Sequence, residues 1–477
     1  MNDPRRSIPA VEKLLDTDPL RALQARFGRE RTVSRLREVA AEVRHSGRFD
    51  GAGAGGGPES DATLRDPQAW ARAVERALTE EERGSLRRVL NATGVVLHTN
   101  LGRAPLAAAA VAAIARVASG YSNLEFDLVR GERGSRYDHC VGLLTRLTGA
   151  EDALVVNNNA AALVLALNTI ALGGPVLVSR GELVEIGGGF RIPEMLERAG
   201  AVLVEVGTTN RTRLADYERA AAQRGAAALL KVHRSNFRIE GFTEEVPLEQ
   251  LAGLARALGV PLVHDLGSGL LVDPGSLGLP AEPRARESLA AGADLVCVSG
   301  DKALGGPQAG IVVGRAPLVR AMRSNPLTRA LRVDKGTLAA LEVTLRLSLD
   351  PATARAEIPA LRMIAADPAE LKARAQALAS GVTAASDGSG STLRVAPGRS
   401  VVGGGTFPGV ELPGWTVRVA PAAGIDASAI ATALRAGDPP VVARVEEGEL
   451  VLDLRTVDPE DDALLARRLR ESLAGSA

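Results

Sequence analysis

From Asn91 onward the chain alternates short apolar runs with longer segments whose apolar positions recur at helical spacing. The runs Asp152 to Val156, Pro175 to Ser179, Ala201 to Val206, Ala227 to Val232, Val260 to His264 and Asp294 to Val298 predict strands. Between them, Ala160 to Leu172 and Leu248 to Leu258 are long enough for helices. Near-continuous apolar strands separated by helices imply an α/β fold: a mainly parallel central sheet with helices on both faces. A further helix is predicted over Thr337 to Leu349, stopped by Asp350-Pro351. Strand-like alternation returns at Thr416 to Val419, Val441 to Val445 and Leu450 to Leu454, and a helix closes the chain after Pro459.

Ahead of Asn91 the spacing is helical. Val11, Leu14 and Leu15, then Leu20, Leu23 and Phe27, then Leu36, Val39 and Val43 predict two or three short helices. The run Gly51 to Pro58 breaks all periodicity and reads as a linker, after which Trp70, Val74 and Leu78 share one helical face. The expected organisation is a helical N-terminal domain over 1–50 and a Gly-rich linker over 51–64. A large α/β domain with its helical lead-in then covers 65–370, and a small α+β domain 371–477.

Composition narrows the function. The 477 residues, 45% hydrophobic and 24% charged, describe a soluble multidomain enzyme, and 57 basic against 57 acidic residues give no global field for nucleic acid. Basic surface must be local. Arg21, Arg26, Arg29, Arg31, Arg35, Arg37, Arg44 and Arg48 crowd the first helices, as a solvated face or as an RNA-contacting module. Cys140 and Cys297 have neither metal-ligand nor disulfide-framework spacing, so no metal is expected and a reducing cytoplasm is. No run reads as a signal peptide or a membrane span, and neither membrane nor DNA is expected as a partner.

In a mainly parallel sheet ligands bind beyond the carboxyl ends of the strands, and the polar clusters fall there. Lys302, in Ser299-Gly-Asp-Lys302, follows a buried strand and precedes a glycine-rich turn. Desolvation there lowers an amine's pKa and suits it to form a Schiff base with a carbonyl cofactor, which points to pyridoxal 5'-phosphate. That cofactor's ring nitrogen asks for a carboxylate at a strand end, which Asp265 offers. Its phosphate asks for N–H groups at a helix start, offered by Asn158, Asn159 and Ala160. Ser268 and Ser299 add hydroxyls; Glu182, Glu185, Ile186 and His233 are candidates for the ring's faces. Phosphate loop, aspartate and lysine come in that order, each at a predicted strand end. A second set, Arg103, Arg130, Arg133, Arg136, Arg329 and Arg332, lies in glycine-rich or short segments and suits a phosphate-like substrate.

The segments Asn91 to Arg103, Tyr121 to Glu125, Arg133 to Arg136, Asn157 to Ala161, Ser179 to Gly188, Gly207 to Arg211 and Ser299 to Lys302 resemble the bacterial L-seryl-tRNA(Sec) selenium transferases, or selenocysteine synthases. The likeness extends to Ile8 to Leu15 and to Val445 to Thr456. It implies a fold-type-I pyridoxal phosphate enzyme that converts seryl-tRNA(Sec) to selenocysteinyl-tRNA(Sec) with selenophosphate, through a cofactor-bound dehydroalanyl-tRNA intermediate. It also implies a tRNA-recognising N-terminal domain and a homo-oligomer built as a ring of dimers. By motif match Lys302 is the Schiff-base and proton-transfer residue, and Arg103, Arg136, Arg329 and Arg332 hold the phosphate-like anion. Arg234 stands where the family pattern leads one to expect a small hydroxyl residue. The competing reading is a pyridoxal phosphate lyase or aldolase acting on a small phosphorylated amino compound.

Overall fold

In the computed structural model, which describes residues 8–46, 49, 61–186, 189–383 and 390–474, the apolar runs form one seven-stranded sheet. Its strands are β1 (Asp152–Val156), β2 (Pro175–Ser179), β3 (Val202–Val206), β4 (Ala228–Val232), β5 (Leu262–Gly267), β6 (Leu295–Ser299) and β7 (Gly310–Gly314). They lie in the order β1-β7-β6-β5-β4-β2-β3, parallel throughout except for β7, which runs antiparallel between β1 and β6. Both faces are covered. Leu154 and Val156 join one cluster with the helix Asn159–Ile170, while Ala153 and Val155 join another with Cys140, Leu144, Leu338 and Leu341. That two-sided burial is why these strands read as unbroken apolar runs.

A second, six-stranded sheet carries the C-terminal alternation: Thr392–Gly403, Glu411–Ala420, Val441–Glu446 and Glu449–Asp453. Its two outer strands come from far upstream, Leu90–Ala92 at one edge and Val95–Leu97 at the other. Gly94 lies between them at φ +75°, where a Cβ would fall 2.2 Å from Asp453 Oδ2, so only glycine fits the crossing. The edge strand Val95–Leu97 leads directly into Arg103, and its neighbour ends at Gly403. Two segments of this sheet therefore arrive together at the end of β6.

The N-terminal helices Val11–Leu15, Asp18–Phe27 and Arg29–Ser46 share a core of Leu14, Leu20, Phe27, Leu36 and Val43 with Trp70, Val74 and Leu78 of the helix Pro67–Glu82. Three of the crowded arginines are tied to that last helix: Arg26 to Glu75 at 2.7 Å, Arg31 to Glu82 at 3.0 Å and Arg35 to Glu81 at 3.2 Å. The glycine-rich run Gly51 to Pro58 and Arg48 lie outside the described residues. Among the described residues no helix is long and apolar enough to cross a membrane.

His264 of β5 is fully enclosed, its Nδ1 3.0 Å from Ser288 Oγ. Burial, and then the charges of Lys231 and His233, push its pKa from 6.5 down to about 3. The unfolded chain binds a proton that the native chain refuses, so this group's contribution is present above pH 6.5 and is lost as pH falls toward 3. The slope it adds is at most about 1.4 kcal/mol per pH unit. Replacing His264 with non-titrating Gln is expected to flatten that acid limb, read from urea denaturation midpoints across the same range.

Candidate active site

The ends of β5 and β6 set the centre of the site. The register between these strands shifts between Asp265 and Gly267, and Gly267 takes φ +73°. Such a bulge re-aims the chain beyond it. Lys302, three residues past the end of β6, comes within 3.6 Å of where a Gly267 Cβ would stand, measured at Nζ. The lysine is 6% exposed, and burial, followed by the nearby Arg103 charge, lowers its pKa. Asp265, 5% exposed, shows the mirror effect: burial raises its carboxyl pKa, partly opposed by a 2.8 Å hydrogen bond from Asn159 Nδ2 and by the Lys302 charge. Both groups resist ionisation for one reason, which is loss of water.

The helix Asn159–Ile170 starts directly above. Asn158 caps it, its side chain accepting from the Ala161 N–H at 2.9 Å. First-turn N–H groups have no partner inside a helix, so those of Asn159 and Ala160 remain to serve a ligand. His233 donates its backbone N–H to the Asp265 carbonyl at 2.8 Å, which brings its ring beside the same strand end. Three buried polar atoms at these strand ends have no hydrogen-bond partner among the described residues: Asn159 Oδ1, His233 Nε2 and Ser268 Oγ. Orphaned buried groups are costly, and a cluster of them beside a desolvated amine fits a polar ligand such as pyridoxal phosphate.

Two expected contacts are already engaged within the chain. Ser299 donates its hydroxyl to Asp301 Oδ1 at 2.6 Å, and Arg103 pairs with Asp301 Oδ2 at 2.7 Å. Asp301 thereby gathers Ser299 and Arg103 beside Lys302. Arg103 holds a left-handed backbone at φ +61°, a strained conformation for a side-chain-bearing residue. Glu182, a candidate for the ring's face, accepts instead from Lys231 Nζ at 3.0 Å and from the Val232 N–H at 2.9 Å. Arg234 turns to Glu245 at 2.8 Å.

The remaining arginines form a cleft of their own. Arg136, Arg329 and Arg332 line a cavity of about 280 Å³ with Arg133, Arg323 and Glu125, and neither Arg103 nor Lys302 lines it. Arg136 makes two bonds to Glu125 Oε1, at 2.8 and 2.6 Å, while Arg332 stands 3.8 Å from the same oxygen. Glu125 is held below the usual carboxylate range by the Arg136 hydrogen bond despite some burial. The cleft is fastened to the phosphate-loop region, because the Asn157 N–H donates to the Leu331 carbonyl at 3.0 Å and Arg136 donates to the Val333 carbonyl at 2.6 Å.

Three contributors escaped the sequence reading. Asp301 lies inside a motif whose lysine drew all the weight. Glu282 and the turn Gly403-Gly-Gly-Thr-Phe407 belong to segments with no chemical signature beyond three consecutive glycines, the one local sign of a close approach. Cys297, opposite Asp265 in the ladder, has its thiol pushed well above its ordinary pKa by burial and then by the Asp265 charge. Burial, and then Glu342, raises that of Cys140 to about 12.

Comparison with known proteins bears on this geometry. Residues 89–458 match the family model described as L-seryl-tRNA selenium transferase, and residues 5–44 match the selenocysteine synthase N-terminal model. The chain is 49% identical to L-seryl-tRNA(Sec) selenium transferase of Moorella thermoacetica, over 99% of this chain and 97% of that protein. It is also 49% identical to the protein of that name from Nitratidesulfovibrio vulgaris, over 99% and 100%. Among solved structures, D-glucosaminate-6-phosphate ammonia-lyase is similar with a TM-score of 0.57 at 24% identity, covering 82% of this chain and 97% of that one, a likeness of fold.

A Cβ at Gly405 would fall 2.4 Å from Lys302 Nζ, at φ +86°. Gly405→Ala is therefore expected to displace the lysine. Pyridoxal phosphate titrated into this variant should bind at least about tenfold more weakly than to the parent, read from the visible absorbance of the bound cofactor, with the far-ultraviolet dichroism unchanged.

Proposed function

The chain belongs to the L-seryl-tRNA selenium transferase family, and we propose that it converts seryl-tRNA(Sec) to selenocysteinyl-tRNA(Sec) with selenophosphate as the selenium donor. The observation that carries the chemistry is a buried lysine amine beside a buried aspartate, ringed by polar atoms without partners. Pyridoxal phosphate, when bound, supplies an aldehyde that accepts amines and a ring that takes up the electrons of a carbanion.

The chain's own residues then have distinct tasks. Lys302 Nζ, desolvated and with its pKa lowered by burial, would be the nucleophile for the aldehyde and would serve as the base for the seryl α-proton. Asp265, kept in orientation by Asn159, stands to hold a proton on the ring nitrogen. The Asn159 and Ala160 N–H groups and Ser268 Oγ are the donors left for the cofactor phosphate, with Asn158 shaping the helix start. His233 bounds the same space. Ser299 acts through Asp301, fixing the loop that carries Lys302, and Arg103 is set beside the amine by the same carboxylate.

Arg136, Arg329 and Arg332 are proposed to hold the phosphate of the donor, where fork-shaped guanidiniums match an oxyanion and neutralise it as it leaves. Their cleft and the Lys302 centre are separate within one chain. Assembly offers a way to unite them: Tyr121, Leu128 and Val129, close in sequence to the cleft's Glu125 and Arg133, are exposed apolar residues suited to a second copy. A homo-oligomer built as a ring of dimers would set the cleft of one subunit against the lysine of its partner. The tRNA is proposed to meet the N-terminal helices through arginines other than Arg26, Arg31 and Arg35, which are committed to glutamates. The cytoplasm is the proposed compartment, consistent with two free, buried cysteines.

The decisive experiment supplies the purified protein with seryl-tRNA(Sec) and selenophosphate and looks for selenocysteine after deacylation; its absence refutes the proposal. Lys302→Ala is expected to abolish the product, and mass spectrometry of borohydride-reduced parent protein should place a pyridoxyl group on the Lys302 peptide. A label elsewhere would refute the lysine's role. Arg329→Ala is expected to lower selenium transfer about a hundredfold while seryl-tRNA still perturbs the cofactor absorbance as in the parent. Equal loss of both would assign Arg329 a general structural part.

A further inference from the structure

Glu282, in the connection between β5 and β6, is buried, and both its carboxylate oxygens reach into the segment that follows the strand Thr392–Gly403. Thr406 Oγ1 donates to Oε1 at 2.8 Å, and the Phe407 N–H donates to Oε2 at 2.9 Å. A third group, His233 Nε2, faces Oε1 at 3.8 Å and has no hydrogen-bond partner. Burial works to raise the Glu282 pKa, but donation from Thr406 and Phe407, together with the nearby His233 ring, leaves it lowered. A buried carboxylate so supplied is a fixed charge, and its hydrogen bonds are of the stronger, charge-assisted kind.

What this carboxylate holds is a turn that would not persist unaided. Gly403, Gly405 and Phe407 take φ values of +111°, +86° and +49°, and for phenylalanine that conformation is strained. The turn is pressed close on its neighbours. A Cβ would fall 2.4 Å from Lys302 Nζ at Gly405, 2.9 Å from Thr99 Oγ1 at Gly404, and 2.9 Å from the Leu97 carbonyl at Gly403. At Gly405 the backbone leaves no room for a side chain beside the lysine. Its tie to the seven-stranded sheet at that point is Glu282.

We infer that Glu282 is a positioning residue of this site: its carboxylate latches the Gly403–Phe407 turn over the Lys302 amine and sets the orientation of the His233 ring. The latch keeps water from the lysine from one side and links the two sheets where the chemistry occurs. The inference rests on the proposed function only for its kinetic consequence.

Hydrogen exchange of the full-length protein with pyridoxal phosphate tests it. Glu282→Gln keeps the side chain's size but removes the charge that strengthens both bonds, so the turn is held less tightly; Thr406→Val removes one hydroxyl at nearly constant volume. Amides of residues 403–410 are expected to exchange about tenfold faster or more in Glu282→Gln, and by a smaller factor in Thr406→Val, while the sheet interior is unchanged. In turnover, Glu282→Gln should lower kcat more than it alters KM for seryl-tRNA(Sec). Unchanged exchange over 403–410 in a folded Glu282→Gln overturns the latch; if that variant does not fold, unchanged exchange in Thr406→Val overturns it equally. Accelerated exchange in a protein that forms no selenocysteine upholds the latch and rejects the functional reading instead.

Discussion

Loss of water at the ends of β5 and β6 is the constraint from which the site follows. An amine and a carboxylate removed from solvent both lose their preference for charge, so Lys302 drifts toward the free amine and Asp265 toward the neutral acid. The fold imposes this by flanking the pair of strands with two more on one side and three on the other, and by setting the glycine turn against the lysine beyond the strand ends. The bulge in β5, the amide of Asn159 and the crossing at Gly94 all serve to bring polar groups to a place that water has left.

The arginines divide along the same line. Arg103 sits where charge is expensive and is matched one to one by Asp301. Arg136 and its neighbours lie in a more open cleft: Arg133, Arg136 and Arg332 share the carboxylate of Glu125, Arg323 is paired with Asp152, and Arg329 adds a further guanidinium, an excess that an anion can discharge. The first arrangement holds a residue in place; the second is suited to something that comes and goes.

Much of the architecture was legible because parallel strands buried on both faces must be apolar at nearly every position. Six strands and the helices between them could be read for that reason. The seventh, Gly310–Gly314, could not: five residues bounded by glycines look like the end of a loop, and only pairing with β1, more than 150 residues earlier, makes them a strand. The strand Thr392–Gly403 escaped for a related cause, since its outward positions are polar and its partners lie elsewhere in the chain. Within the site, Lys302, Asp265 and Asn159 were visible because their chemistry is tied to strand ends. Asp301 and Glu282 were not, because a carboxylate's partner is decided in three dimensions, as the pairing of Arg26, Arg31 and Arg35 with distant glutamates also shows.

The two cysteines acquire a meaning in this setting. Reduced selenium is a strong nucleophile, and a cysteine rivals it for an electrophile chiefly as the thiolate. Cys297 stands opposite Asp265 on the neighbouring strand, yet burial and the aspartate keep it protonated. Cys140 is equally shut away. A protein that handles selenium as a nucleophile thus keeps both of its own sulfur nucleophiles protonated and out of competition with it.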